Sequence, residues 1–507
     1  MKKILILLLL QGLFSINNNA QTLDKVNIII AQDSINELET HPFTNEHVLG
    51  DFVSNDDTYT SVEYHYKGAY TLYRQINENK PYRNWKLKVP KTNPYLNRRE
   101  WNFNYDNSIT QYLSYYILKQ AGVPCAEPEY VILSINNANP RLYIRYEDMD
   151  NKSFLLEKYG TKDGELFKSA TDTPNEERFW ADFSYLGSNS SDYFMHYSKK
   201  MNAVGVADDD YISIRDFTDK ISNTPDAEFE TMIKANFAWE NFIKYLVIGN
   251  FISNWDGYPQ RPKNNWLYQN DKTGQWSYIP WDLDATFQAG GGGPHIELNM
   301  MGPRCSIWFY MDKYEPYQLQ PKETKERPLV WRMMKVPYFR NYYATEYKKA
   351  MTTYLNPTKM KQVIDSVAAV IKSNMPSNYS MDGSFGSSST WGSVKYFLAI
   401  KAPLVNAELA KINTAVNDVS FDSKIISISP NPARENFTIS LNLAAASNIT
   451  IDLFDLTGRK LKNICQKHID MGKQIIPVST DELKAGSYIV SIKMNNDFIT
   501  KKLMIIK

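Results

Sequence analysis

The period of the apolar residues changes abruptly near residue 424, and that change limits the chain to at least two folds in series. Beyond it Ile449, Ile451 and Leu453 alternate with Thr450 and Asp452, and Tyr488, Val490 and Ile492 alternate with Ile489, Ser491 and Lys493. A period of two puts every second side chain on one face, which predicts strands. Pro430-Asn431-Pro432, Thr457-Gly458, Met471-Gly472 and Ala485-Gly486 separate them as turns. Short strands at that spacing predict a small Ig-like β-sandwich over 424–507. The small, polar residues 413–423 before it predict a linker.

Upstream the pattern is mixed. Tyr64 to Tyr73 carries alternating aromatics around Lys67-Gly68, and Trp85 to Val89 is a short strand with Lys86 and Lys88 on one face. A helix is predicted over 108–120, with Ser108 as N-cap and Gly122 past its end. Strands follow at Tyr130–Ile135 and Leu142–Glu147. One long helix is predicted from Phe229 to Phe251, then a hairpin over 265–280 turning at Asp271–Gly274, and further helices within 330–412. Gly290–Gly293 and Pro294 predict a flexible loop. The body is therefore α+β over 60–412, preceded by a polar lead-in at 21–59.

The N-terminus has Lys2 and Lys3 before an apolar run from Ile4 to Leu10, which is too short to span a bilayer. It fits a signal peptide, residues 1–20, cut before Gln21, with no cysteine after the cut to anchor a lipid. No other run is apolar enough for a transmembrane span. With 57 basic and 56 acidic residues the chain lacks the basic excess of a nucleic-acid binder. Three scattered cysteines exclude a disulfide framework, and six histidines without HExxH argue against a zinc hydrolase.

The chemistry concentrates in 250–287. Asp256 lies in a loop after the long helix, Asn264 where the hairpin begins, and Asp282 and Asp284 where it ends. A hairpin returns its ends to one edge, so Asn264 and Asp282 should be neighbours, with Asp256 tied close by a short loop. Carboxylates with an amide oxygen suit a hard divalent cation. The same residues also suit caps and turns, so spacing leaves metal-assisted chemistry and a structural loop both open.

Two resemblances bear on these alternatives. Ser429-Pro430-Asn431-Pro432, Phe454 to Arg459, Leu483 to Tyr488 and Lys501-Lys502-Leu503 resemble the type IX secretion C-terminal sorting domain. That implies engagement of the type IX machinery and export from a Gram-negative periplasm to the cell surface or outside. Asn254 to Gly257, Lys263 to Tyr268 and Trp276 to Asp284 resemble the CotH family, the spore-coat protein kinases and their relatives. Tyr66-Lys67-Gly68, the strand around Lys86 and Lys88, and 136–155 are similar to its small-lobe motifs.

This second resemblance implies an atypical, two-lobed protein-kinase-like fold using ATP with Mg²⁺ or Mn²⁺. It implies Asp256 as the base for the substrate hydroxyl, Asp282 as metal ligand, and Asn264 and Asp284 as further ligands. Lys86 or Lys88 would reach the α- and β-phosphates. Trp276 would either stack on adenine or pack in the core, and Glu147 would either meet the nucleotide or lie on the surface. The chain departs from the family in Lys67-Gly68-Ala69-Tyr70, which replaces an Arg-Gly-Asn-Ser-like turn. It has no GxGxxG loop, and the predicted helix at 108–120 lacks a glutamate to pair with the lysine; Glu100 lies just before it. The implied function is a secreted kinase phosphorylating Ser or Thr of an exported protein. The alternatives are a non-catalytic surface or matrix-binding protein that keeps the fold, and a glycoside hydrolase using Asp256 and Asp284.

Overall fold

The computed structural model describes residues 22–44, 46–55, 57–68, 70–105, 108–169, 180–288, 302–309, 327–381, 393–412, 426–443, 447–455, 459–469, 472–494 and 497–507. The expected signal peptide, the linker 413–423, the Thr457-Gly458 turn, Met471 and Gly290–Gly293 with Pro294 fall outside them. The chain divides into two compact units. One holds residues up to Lys335 with Thr345–Leu409, and the other Val336–Ala344 with Ala410–Lys507.

The first unit opens with strands β1 (Asp24–Ile29), β2 (Val48–Ser54), β3 (Asp57–Tyr66), β4 (Trp85–Lys88), β5 (Glu100–Tyr105), β6 (Glu129–Ile135) and β7 (Ala138–Glu147). They close into a barrel in the order β1-β2-β3-β4-β5-β7-β6. Helices α1 (Gln32–Thr40), α2 (Tyr70–Asn77) and α3 (Thr110–Gln120) are inserted between strands. The expected lead-in at 21–59 is thus corrected: β1 pairs antiparallel with β2 and parallel with β6, closing the barrel. The segment looks polar because only Val26 and Ile28 of β1 turn inward. Gly50 sits at an irregularity in β2, where an added Cβ would lie 2.4 Å from the Ile29 carbonyl oxygen.

Alternation then sorts the barrel into two faces. Val62, Tyr64, Trp85, Leu87, Trp101, Phe103 and Tyr143 fill the interior. On β4, β5 and β7 the intervening positions Lys86, Asn102, Asn104 and Tyr146 face outward. The helix α3 starts at Thr110 with Ile109, not Ser108, as its N-cap, and Ser108 bonds the Thr110 hydroxyl at 3.0 Å.

The remainder of this unit holds α4 (Lys152–Tyr159), α5 (Ile212–Asn223), α6 (Asp226–Asn236), α7 (Trp239–Phe251), α8 (Pro328–Lys335), α10 (Pro357–Asn374) and α11 (Val394–Lys411); α9 (Pro337–Thr352) belongs partly to it. A four-stranded sheet contains β8 (Glu165–Ser169), β9 (Tyr197–Met201), β10 (Asn265–Gln269) and β11 (Trp276–Pro280), in the order β11-β10-β8-β9. The single helix expected over 229–251 is two. Phe237 leaves the helix with φ −139° and ψ 140°, and the Ala238 N–H donates to the Trp276 carbonyl at 2.8 Å. The apolar run continues across the break because α6 buries Phe229 and Ile233 and α7 is buried on nearly every side.

The second unit carries β12 (Ile426–Ser429), β13 (Asn436–Leu443), β14 (Ser447–Phe454), β15 (Lys460–Ile469), β16 (Gly472–Ser479), β17 (Gly486–Met494) and β18 (Asp497–Ile505). They form two antiparallel sheets, β12-β13-β16 and β15-β14-β17-β18. One core takes Phe437, Ile439 and Leu441 from the first sheet and Ile451, Val490 and Leu503 from the second. Among the described residues no helix is long and apolar enough to cross a membrane.

Candidate active site

The hairpin of β10 and β11 pairs Asn265 with Pro280. Just beyond that pair, the Trp281 N–H donates to the Asn264 carbonyl at 3.0 Å. Asn264 and Asp282 both occupy the left-handed region, with φ of 56° and 55°. Two non-glycine residues held there at one sheet edge are conformations that the surrounding structure must enforce. The enforcement comes partly from α3: the Asp282 N–H donates to the Tyr115 hydroxyl at 3.1 Å, and Ser114 shares a 2.9 Å hydrogen bond with Thr286.

Asp256 is set by the loop after α7. The Asn254 N–H donates to Gly249 O at 2.9 Å, and its side-chain amide reaches the Tyr245 hydroxyl at 3.3 Å. Tyr245 in turn donates to the Tyr258 carbonyl at 2.7 Å. Gly257 has no room for a side chain, because a Cβ would lie 2.5 Å from the Asn254 amide nitrogen. Asn264 donates its amide to the Asp256 carbonyl at 2.8 Å and carboxylate at 3.1 Å. Arg261 and Lys263 each stand 3.2 Å from the same carboxylate.

The Asp282 carboxylate differs. Among the described residues it accepts no hydrogen bond and makes no ion pair. Burial raises its pKa; Lys67 then opposes the rise, and Asp256 adds to it. Lys67 Nζ donates to the Tyr146 hydroxyl at 3.0 Å and to Asn104 Oδ1 at 3.2 Å. Burial brings the Lys67 pKa down to about 8, although Asp148 and Asp282 both favour its charged form. Lys168, over the Trp266 ring at 5.2 Å, is lowered by burial and feels Asp148 and Asp282 as well. A half-buried carboxylate facing cations without touching them leaves oxygen donors available to a hard cation, and the cations suit an anionic ligand.

Lys86 and Lys88 separate. Lys86 lies 2.8 Å from Asp148 and 2.9 Å from Glu100. Glu100, from the neighbouring strand β5, therefore reaches the lysine that the α3 sequence leaves without a glutamate. Burial would raise the Asp148 pKa, but Lys86 overrides it and holds it at about 2. Burial and Asp148 push Asp150 up to about 6. Lys88 lies one pleat further along and stands 3.6 Å from Glu63 at the surface.

Other expectations fall away from this cluster. Glu147 faces opposite to Tyr146 and Asp148, toward Arg98, Glu127 and Lys158, and is buried rather than on the surface. Trp276 is buried and stacked on Phe217, with centroids 5.0 Å apart and planes 13° apart, so it is a core residue with no face for adenine. Asp284 is exposed, with electrostatic effects on Tyr115 and Tyr146. Sequence reasoning gave no role to Lys67, Asp148, Lys168 or Lys263. The available signal was period two: Asp148 shares the outward parity of Tyr146, and Glu147 does not.

The CotH kinase protein family matches residues 64–398, more than half of the chain, and the secretion system C-terminal sorting domain matches 427–507. The inner spore coat protein H of Bacillus subtilis is 27% identical over 179 residues, 34% of this chain and 45% of that protein. The invasin CotH2 of Rhizopus delemar is 28% identical over 222 residues, 41% of this chain and 35% of that protein. The chain thus spans less than half the length of these curated relatives. Among solved structures, an AlkC alkylpurine DNA glycosylase of Pseudomonas fluorescens bound to DNA containing an abasic site analog matches at 11% identity. The match covers 43% of this chain and 62% of that one, and its TM-score of 0.12 is too low to carry an argument. The chain belongs to the CotH kinase protein family and ends in a secretion system C-terminal sorting domain.

Proposed function

We propose that this protein is a secreted, two-lobed atypical kinase that transfers the γ-phosphate of ATP to Ser or Thr of an exported protein. One observation carries the reading: Asp256 and Asp282 meet at the edge of the β10–β11 hairpin, with Lys67, Lys168 and Lys263 around the unpaired Asp282 carboxylate. Asp282 would hold Mg²⁺ or Mn²⁺, with the Asn264 amide oxygen and Asp284 as further donors. The metal, when bound, neutralises phosphate charge. Asp256 would accept the hydroxyl proton of the substrate, its carboxylate oriented by Asn264 and by ion pairs with Arg261 and Lys263. Lys67 and Lys168 would face the phosphates. Lys86 would position Asp148, since both its neighbours are carboxylates. Membership of a kinase family supports the reading.

A second reading, a non-catalytic surface or matrix-binding protein, draws support from the same lysine. Lys86 is already neutralised by Glu100 and Asp148, and the sequence has no GxGxxG motif. ATP is also scarce where such a protein would work. The sorting tail directs type IX export to the cell surface or outside; passage through a Gram-negative periplasm is part of the proposal.

Calorimetric titration of ATP with Mg²⁺ or Mn²⁺ into the protein, with Asp282→Ala alongside, separates the readings. Binding by the wild type that the variant loses supports the kinase. A folded wild type that binds nucleotide with neither metal leaves the non-catalytic reading.

A further inference from the structure

At one end of the barrel β3 and β6 finish and β4 and β7 begin, and α1 lies across that end. A cavity of about 330 Å³ opens there, a volume that suits a small organic molecule. It lies on the far side of Trp85 from the outward-facing Lys86, so it is separate from the Asp256–Asp282 site. Its walls include Tyr66, Trp85, Leu133 and Tyr143. Its rim carries Tyr82, which stacks on Tyr105 with centroids 3.6 Å apart and planes 17° apart.

The charges at this cavity are unequal. Arg83 is neutralised by Glu39 at 2.7 Å and donates to the carbonyls of Lys80 and Tyr82. Lys80 stands 3.2 Å from Glu78. Arg141 has no such relief. Its guanidinium lies over the Tyr82 ring at 5.8 Å, and among the described residues it makes no hydrogen bond and no ion pair. Its Nε is buried without an acceptor. Arg141 is half-buried, with Nε shielded and its terminal nitrogens open to the cavity side, so its cationic face lacks an anion that a planar anionic group would supply.

We propose that the barrel mouth binds a flat organic anion, an aromatic or unsaturated carboxylate, sulfonate or phosphate monoester, with its charge on Arg141 and its body against Tyr82 and Tyr143. Tyrosine and tryptophan walls favour a flat body, and one unpaired arginine favours a single charge. The site is independent of nucleotide binding.

The test uses the full chain and two dyes, anilinonaphthalene sulfonate and its uncharged counterpart phenylnaphthylamine. Arg141→Gln should weaken sulfonate binding about tenfold or more and leave the uncharged dye within about twofold. Equal sulfonate affinity in both proteins, or equal losses for both dyes, overturns the proposal. A second measurement does not depend on the variant. Bromobenzoate diffused into crystals should place its bromine signal inside the cavity; a bromine absent from the cavity overturns the proposal.

Discussion

The backbone N–H of Asp282 donates to the hydroxyl of Tyr115, 3.1 Å away and 167 residues earlier in the chain. This bond helps to hold Asp282 in a left-handed conformation and aims its carboxylate toward Lys67 and Asp256. Replacing Tyr115 by Phe removes the acceptor and leaves the N–H unsatisfied, a loss of about 1–3 kcal/mol. Urea unfolding reads that loss. Calorimetry should show weaker ATP–metal binding in the same variant, and unchanged binding would mean that Asp282 needs no help from α3.

The two lysines of β4 should respond unequally. Lys86→Met leaves Asp148 buried without its cation and should cost about 3–5 kcal/mol. The double variant with Asp148→Asn should recover most of that. Lys88→Met loses only a long surface pair with Glu63 and should change stability by less than about 0.5 kcal/mol. Denaturant melts of the three variants decide the matter; equal costs for Lys86 and Lys88 would contradict the burial argument.

Lys67 titrates near pH 8 in the folded protein and near 10.5 as an ordinary lysine. Between those values the unfolded chain binds more protons, so this group makes stability rise with pH across that window. Its charge in the folded site disappears over the same range. ATP affinity should therefore fall as pH passes about 8 in the wild type. In Lys67→Arg, which stays charged, the fall should vanish. Binding curves from pH 7 to 9.5 that superimpose for the two proteins would remove Lys67 from the phosphates.

Asp150 has its pKa raised to about 6 from an ordinary 3.8. As pH rises from about 4 to 6 the unfolded chain ionises first, so the stability contributed by this group is lost with rising pH. Asp150→Asn should stabilise the protein at pH 7 by about 1–3 kcal/mol and change little at pH 4. Thermal melts at both values test it; a variant less stable than wild type at pH 7 would show that the ionised Asp150 has a favourable partner.

Much of the architecture was legible because it is local. The tail's alternation identified its strands, and β6, β7, β10 and β11 followed from apolar runs between turn residues. Asn264 and Asp282 came together because a hairpin closes over few residues and returns its ends to one edge. Asp256 followed from the same economy of distance. Glu147, expected either at the nucleotide or on the surface, is buried, and parity along β7 sends its neighbour Asp148 to the lysines.

The sequence by itself determined the strand periods, the hairpin and the sorting tail, because each depends on residues within one or two turns of chain. Only the tertiary structure decided which lysine meets which acid, that Trp276 is core, and that residues 24–54 close a barrel. Those outcomes rest on pairings such as Val26 with Leu133 and Asp282 with Tyr115, between residues about a hundred or more positions apart. A period of two says which side chains share a face; it does not say what that face will meet.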